Sequence, residues 1–224
     1  MISIIIPTIR KNQIKECLDQ IIATTHGIEY EMIVVSPYEV PVFKNTKWLR
    51  ECRLEGVNRA VEKGFAIAQG EYIMTLSDED RFTDGYLRTM FDHVDPHKGE
   101  LFIGNPGLFG GVGPSVRPAI GYFGLMFAPF PFLHRDTIEA LGGLYDPIFK
   151  SFFADPDLSL RCWAQGGIVS RCPEARLYHR HIEDKIHTRA YNKNFLKDES
   201  TFIKRWDFLD RYQGAKKLND KEDV

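Results

Sequence analysis

Residues 70–80, Gly-Glu-Tyr-Ile-Met-Thr-Leu-Ser-Asp-Glu-Asp, constrain the fold more than any other segment of the chain. The apolar run over 71–76 predicts a buried strand, and three consecutive carboxylates, Asp78, Glu79 and Asp80, follow at its end. Like charges this close together destabilise one another unless a cation joins them. Two interpretations follow: a solvated polar loop after a strand, or a site for a hard divalent cation such as Mg²⁺ or Mn²⁺, which prefers carboxylate oxygens.

Strands and helices are predicted to alternate before this segment. Residues 2–6 and 30–35 are short apolar runs that end at Pro7 and at Ser36-Pro37, as buried strands do. Apolar residues recur at helical spacing over 12–25 and 56–69. The alternation of strand and helix predicts an α/β fold in which a mostly parallel central sheet is flanked by helices.

Three loops are predicted to meet at one edge of this sheet, because ligands of parallel sheets bind beyond the carboxyl ends of the strands. The loops are Pro7-Thr8-Ile9-Arg10, Ser36-Pro37-Tyr38 and Ser77-Asp78-Glu79-Asp80. The acidic cluster is therefore expected at the ligand-binding edge.

The second half of the chain is less regular in sequence. Residues 104–124 carry seven glycines and three prolines in 21 positions, which predicts an irregular wall or mobile flap of a site, or plain turns. Helices are predicted over 84–94 and 135–141, and a short strand over 168–170. A further helix is predicted to begin with Asp155 as its N-cap and Pro156 at its first position, and to end near Ala164.

Composition excludes several classes of protein. A net charge of −2 and a pI near 6.4 argue against a general nucleic-acid-binding protein, which would carry a basic excess. The four cysteines have no CxxC spacing and predict neither a zinc site nor a disulfide framework. The sequence shows no signal peptide and no apolar run long enough for a membrane span, so we expect a cytoplasmic protein.

The C-terminal segment 195–212 spaces apolar residues like an amphipathic helix. This helix is predicted either to pack on the domain or to make peripheral contact with a membrane surface. We therefore divide the chain into a domain over 1–190, with halves 1–100 and 101–190, and a helix with a polar tail over 191–224.

Five segments occur in a recognisable order. They are Ser3-Ile4-Ile5-Ile6-Pro7-Thr8, Ala68-Gln69-Gly70-Glu71-Tyr72-Ile73, Ser77-Asp78-Glu79-Asp80, Leu141-Gly142-Gly143-Leu144-Tyr145-Asp146 and Ala154-Asp155-Pro156-Asp157-Leu158-Ser159-Leu160-Arg161. Together they resemble the family 2 glycosyltransferases of the GT-A fold, which combine a Rossmann-like nucleotide-binding half with an acceptor-side half. The resemblance extends over residues 1–182.

The resemblance implies transfer of a sugar from a nucleotide-sugar donor to a hydroxyl of a saccharide or lipid-linked acceptor, with inversion. It favours a UDP-sugar, with GDP- and dTDP-sugars as alternatives, and a Mn²⁺ or Mg²⁺ ion that offsets the charge of the leaving diphosphate. The implied metal ligands are Asp80, Asp78 and His179. The implied nucleotide-sugar-binding residues are Pro7, Thr8, Ile9, Arg10, Ser36, Asn58, Asp78 and Glu79.

Asp155 matches the position of the general base in this family. A carboxylate there would accept the proton of the attacking hydroxyl, and Asp157 is the alternative base. Two departures stand out: Ala154 occupies a position that is Glu in many relatives, and Ser36 replaces an Asp that contacts the nucleobase. Either Ser36 or Glu39 is expected to make that contact.

Two other functions fit parts of the sequence. The departures at Ala154 and Ser36 are compatible with a catalytically weak or inactive module that binds a saccharide or nucleotide. A sugar-phosphate nucleotidyltransferase would have a similar sheet, but Pro7-Thr8-Ile9-Arg10-Lys11 is not the Gly-rich loop that such enzymes carry after the first strand.

Overall fold

The computed structural model describes residues 1–41, 43–94, 107–112, 119–120, 125–180, 182 and 184–206. The strands are β1 (Ile2–Pro7), β2 (Tyr30–Ser36), β3 (Thr46–Arg50), β4 (Tyr72–Thr75), β5 (Asp80–Phe82), β6 (Gly107–Val112), β7 (Ala119–Ile120), β8 (Met126–Phe127), β9 (Phe132–His134) and β10 (Ile168–His179). The helices are α1 (Lys11–Thr24), α2 (Val57–Phe65), α3 (Tyr86–Val94), α4 (Arg135–Ala140), α5 (Ala154–Ala164) and α6 (Lys185–Trp206).

Eight strands form one mixed sheet in the order β3-β2-β1-β4-β9-β6-β10-β5. The first four are mutually parallel, and β6 and β10 are also parallel to each other. Only β9 and β5 pair with their neighbours in the antiparallel sense. The predicted α/β fold with a mostly parallel central sheet is confirmed.

Helices cover both faces of this sheet, because alternate side chains of a strand point to opposite faces. Ile4 of β1 belongs to a core cluster with Leu18 of α1, whereas the neighbouring Ile5 packs in a second cluster with Val61 of α2 and Leu158 of α5. The strands are buried on both sides for this reason, and their sequences are mostly apolar rather than alternating.

Gly64 allows α2 to approach the sheet closely. A Cβ atom added at this residue would lie 2.6 Å from Cγ2 of Ile5, a distance that packed side chains do not tolerate. The absence of a side chain at Gly64 therefore allows the last turn of α2 to pack closely on β1 and β2.

Three strands differ from the sequence predictions. β3 was not predicted, and it extends the sheet beyond β2. β10 does not stop at Ser170 but continues to His179, through an irregular register between Cys172 and Arg176, where a bulge re-aims the strand. β5 begins at Asp80, the last residue of the acidic cluster, and pairs with the end of β10.

The Gly-rich segment is the fourth difference. It was predicted to be irregular, yet Gly107–Val112 forms β6 between β9 and β10. β6 pairs with β10 along its length and with β9 at Phe109, and this tertiary context outweighs the weak strand preference of glycine. Ala119–Ile120 forms a separate two-stranded sheet with β8, and the remaining residues of the segment lie outside the described part.

Helix α6 begins earlier than predicted and crosses the boundary expected at residue 190. Its buried side chains Asp198, Phe202 and Trp206 pack on the domain, as in the first of the two interpretations of this segment. Residues 207–212 lie outside the described part. Across the residues described, no helix combines the length and the apolar character that a membrane crossing requires.

Candidate active site

A cleft of about 510 Å³ opens at the carboxyl ends of β1 and β4, between the amino ends of α2, α5 and α6. Nine of the predicted site residues line it, and they share this edge of the sheet although they come from distant parts of the chain. They are Pro7, Thr8, Ile9, Arg10, Asn58, Asp78, Glu79, Asp155 and His179.

Arg10 provides the counter-charge for two of the three clustered carboxylates. Its Nη1 lies 3.2 Å from Oδ1 of Asp78 and 2.7 Å from Oε1 of Glu79, and Thr8 donates its hydroxyl to Oδ2 of Asp78 at 2.5 Å. Burial raises the pKa of Asp78, while the hydrogen bond from Thr8 and the charge of Arg10 oppose that effect. The loop after β1 thus stabilises the buried acidic cluster.

Asp80 is fully buried and is joined to His179. Its Oδ1 lies 2.8 Å from Nδ1 of His179, and its Oδ2 accepts the backbone amide of Ser77 at 2.8 Å. The antiparallel pairing of β5 with β10 places these two residues opposite each other. Burial raises the pKa of Asp80 against these hydrogen bonds, and the hydrogen bond with Asp80 raises the pKa of His179.

The residue types of this group, three carboxylates and an imidazole, are ones that Mn²⁺ and Mg²⁺ accept. Nε2 of His179 lies 3.7 Å from Oε2 of Glu79, and Nδ1 is engaged by Asp80. Among the described residues, the group whose ligand atoms already lie within 4.8 Å of one another is a different one, His93, Cys172 and Glu174. Asp80 lies behind His179 rather than on the wall of the cleft, so a side-chain movement would accompany its use as a ligand.

Asp155 also lines the cleft, from the first turn of α5. The N-cap is Phe153, with φ 66°, so the predicted capping role of Asp155 is wrong. The Asp155 carboxylate instead contributes to the cleft, and burial raises its pKa to about 6. Among the described side chains, no cation pairs with this carboxylate. A carboxylate of this kind is suited to accept a proton near neutral pH.

Asp157 does not reach the cleft. Its Oδ2 accepts from Nε of Arg161 at 3.0 Å and its Oδ1 from Nε1 of Trp206 at 3.0 Å, and its side chain is fully buried. The alternative assignment of Asp157 as the base is therefore wrong. Its hydrogen bond with Trp206 joins α5 to α6.

Two predicted nucleobase contacts also lie away from the cleft. Ser36 is buried, donates its hydroxyl to the carbonyl of Tyr38 at 2.5 Å and accepts from Nε1 of Trp48 at 3.1 Å. Glu39 is exposed. Neither residue belongs to the wall of the cleft.

Sequence reasoning missed Glu51, a buried carboxylate on the cleft wall directly after β3. Lys63 lies 3.2 Å from its Oε1. The signal that could have found Glu51 is its position directly after a short strand that contains Trp48 and Leu49. This strand ends at the same sheet edge as β2, whose last residue is Ser36.

Comparisons with known proteins agree with the architecture. No family model matches the sequence, and no curated protein matches it significantly. Among solved structures, 220 chains match. They include TarS of S. aureus residues 1–349, with TM-score 0.57, 15% identity and coverage of 79% of this chain and 59% of that one.

Two further structures of TarS match over more of the chain. TarS itself gives TM-score 0.61, 13% identity and coverage of 92% of this chain and 43% of that one. TarS 1–349 in complex with UDP-GlcNAc gives TM-score 0.63 and 14% identity, and the match covers 99% of this chain and 76% of that one. This chain has a glycosyltransferase fold. At these identities the likeness concerns the fold alone, and the chain spans 59% and 43% of the first two matches.

Within the glycosyltransferase fold, the cleft brings together the acidic cluster, the loop after β1 and the amino ends of α5 and α6. The cluster and the amino end of α6 are joined, because Arg10 contacts both Glu79 and Asp184, the residue directly before α6. This arrangement provides the geometry from which a function can be argued.

Proposed function

We propose that this chain is an inverting glycosyltransferase that moves a sugar from a nucleotide-sugar donor to an acceptor hydroxyl and depends on Mn²⁺ or Mg²⁺. The observation that carries the proposal is that Asp155 and the carboxylates Asp78 and Glu79 line one cleft from different elements. An acid cluster without a base would bind a nucleotide only. A base without the cluster would lack a means to hold the diphosphate.

On the donor side, Asp80, Asp78 and His179 would hold the divalent ion. A bound divalent ion supplies Lewis-acid stabilisation of the charge that develops on a leaving diphosphate. Arg10 and Thr8 position the carboxylates, and Asn58 is fixed by donating to the carbonyl of Phe149 at 3.0 Å. The complex of TarS with UDP-GlcNAc supports a UDP-sugar as the first donor to test, ahead of GDP- and dTDP-sugars.

On the acceptor side, Asp155 would accept the proton of the attacking hydroxyl. Its raised pKa of about 6 leaves it ionised at neutral pH and makes it a stronger base than an ordinary aspartate. In the proposed reaction the hydroxyl attacks from the face of the sugar opposite the leaving diphosphate, and such an attack would invert the anomeric carbon.

The test combines binding with turnover. Thermal shifts with UDP, GDP and dTDP are measured with Mn²⁺, with Mg²⁺ and with excess EDTA, and release of the nucleoside diphosphate from each nucleotide-sugar is followed in parallel. We expect UDP to raise the melting temperature only when the metal is present, because a ligand of the native state adds to its stability. Transfer that continues undiminished in EDTA would contradict the metal role.

A non-catalytic binding module remains the second candidate. It is favoured by the contacts of Arg10, which bring one positive charge of the protein itself to Asp78 and Glu79. This candidate predicts nucleotide binding without turnover, and binding that Asp155→Asn leaves unchanged. Turnover in the wild type that disappears in Asp155→Asn rejects it.

We further propose that the protein works in the cytoplasm and that α6 makes peripheral contact with a membrane surface. The outward face of α6 combines the exposed apolar residues Leu196 and Ile203 with Lys193, Lys197 and Lys204, a pattern that favours anionic lipid surfaces. Co-sedimentation with phosphatidylglycerol vesicles tests this contact, and equal binding to neutral phosphatidylcholine vesicles would contradict it.

A further inference from the structure

We propose that α6 carries an acceptor subsite in which aromatic side chains pack against the apolar face of a pyranose ring. The subsite consists of His187, Tyr191 and Phe152. The proposal deepens the proposed transfer reaction and rests on it, because it names the chemical class of the acceptor: a saccharide with at least one pyranose ring beside the attacking hydroxyl.

The aromatic row of α6 is formed by His187, Tyr191 and Phe195, which follow one another at intervals of four residues. Residues at this spacing lie on one side of a helix. The rings of Tyr191 and Phe195 are 4.6 Å apart with an interplanar angle of 24°, and those of His187 and Tyr191 are 6.5 Å apart at 27°. Phe152 meets the ring of Tyr191 edge-on at 5.9 Å.

This row connects the cleft with the protein surface. His187 and Phe152 line the same cleft as Asp155, and Phe152 precedes Asp155 by three residues. The attacking hydroxyl of an acceptor must come within hydrogen-bond reach of the base. The remainder of the acceptor then leaves the cleft past the aromatic side chains on that rim.

Tyr191 is 46% exposed in spite of its large apolar ring. Most of the other aromatic rings of this region are turned inward: Phe153 and Phe202 are buried, and Phe195 packs on Phe153 at 5.4 Å. Tyr191 does not itself line the cleft but contacts Phe152 and His187, which do. An exposed aromatic side chain with a polar hydroxyl, next to a cleft, suits a ligand that has both apolar faces and hydroxyl groups.

The cleft end of the row is held in place before any acceptor binds. Oδ1 of Asp184 accepts the backbone amide of His187 at 2.7 Å, and its Oδ2 accepts from Nε of Arg10 at 2.7 Å. Arg10 also contacts Glu79 of the acidic cluster. The same residue therefore holds both the acidic cluster and, through Asp184, the first turn of α6 in position. Such preorganisation reduces the entropy lost on binding.

The experiment compares Tyr191→Ala and Tyr191→Phe with Leu196→Ala. Leu196 is the matched control, since it lies on the same helix, is 77% exposed and does not line the cleft. Cellobiose and chitobiose serve as probes, and their binding is followed by saturation-transfer-difference NMR in the presence of UDP and Mn²⁺. The thermal shift caused by UDP is recorded for every variant.

We expect Tyr191→Ala to weaken disaccharide binding by about three- to tenfold, the range expected for one aromatic packing contact. Tyr191→Phe should retain most of the affinity and Leu196→Ala all of it, and no variant should alter the thermal shift by UDP. Unchanged disaccharide binding in Tyr191→Ala, or an absence of disaccharide binding in the wild type, overturns the subsite. If the proposed transfer reaction itself is wrong, the result is different: the wild type then shows neither UDP binding nor turnover.

Discussion

Nδ1 of His179 lies 2.8 Å from Oδ1 of Asp80, although the two residues are 99 positions apart. The contact exists because the last residue of β10 pairs with the first residue of β5. It joins the end of β10 to the acidic cluster, which itself contacts the loop after β1 through Arg10. One group of side chains therefore links three distant segments at the floor of the cleft.

Asp80→Asn is expected to abolish the response to metal. The substitution preserves shape and leaves an oxygen for the amide of Ser77, but it removes the buried charge beside His179. We expect the thermal shift by UDP to lose its dependence on Mn²⁺ and transfer to fall by a factor on the order of 100 or more, since Lewis-acid stabilisation is worth several kcal/mol. Asp92→Asn, which alters an exposed carboxylate paired with Arg88, serves as the control. A wild-type metal response in Asp80→Asn would refute the assignment.

Asp155 is expected to control the acid side of the pH profile. Because its pKa is raised to about 6 and the ionised form accepts the proton, kcat/KM should fall tenfold per pH unit below about pH 6. Asp155→Asn should lose transfer while it retains the thermal shift by UDP. Asp136→Asn, which changes an exposed first-turn carboxylate of α4, should leave both unchanged. A flat profile between pH 5 and 7 would show that another group is the base.

Asp155 also has a consequence for stability. Its pKa is higher in the folded protein than the ordinary value of 3.8, so the folded protein binds this proton more tightly than the unfolded chain. The free energy of unfolding contributed by this group therefore decreases as the pH rises from about 4 to about 6. Asp155→Asn should accordingly stabilise the protein at pH 7.5, by about 1–3 kcal/mol, in urea denaturation. Equal destabilisation at pH 5 and pH 7.5 would contradict this.

Arg10→Lys is expected to keep the positive charge beside the carboxylates while it removes the planar set of donors. Arg10 contacts Asp78, Glu79 and Asp184 at once, and a lysine ammonium cannot reproduce that planar fork. We expect a several-fold higher KM for the nucleotide-sugar and a lower melting temperature. Arg88→Lys, which changes an exposed i,i+4 pair on α3, is the control. Identical kinetics in Arg10→Lys would mean that the positive charge alone suffices.

Trp206→Phe tests whether α6 is part of the domain. The indole Nε1 donates to the fully buried Asp157 at 3.0 Å, and the substitution leaves this carboxylate with one fewer donor. We expect a loss of about 1–3 kcal/mol in the free energy of unfolding, measured in urea. Ile203→Ala, on the exposed side of the same helix, should cost much less. Equal costs for the two variants would indicate that α6 contributes only general apolar burial.

The sequence by itself determined the framework of this protein. The mostly apolar runs over 2–6 and 30–35 predict strands buried on both faces, because a covered parallel sheet removes such runs from water. The loops after those strands must then share one edge, and the structure brings Thr8, Arg10 and Asp78 together there. Most helices begin and end within a few residues of their predicted limits.

The partners of the polar side chains were decided by the tertiary structure alone. Asp157 resembles a base by its position in the sequence. In the structure it accepts hydrogen bonds from Arg161 on the same helix and from Trp206, 49 residues away. Glu51 reaches the cleft only because β3 adds to the sheet edge beside β2. A local pattern reports whether a segment is buried, since that depends on its own residues. Which charged side chains pair with one another depends on how distant segments pack, and a local sequence pattern does not encode that packing.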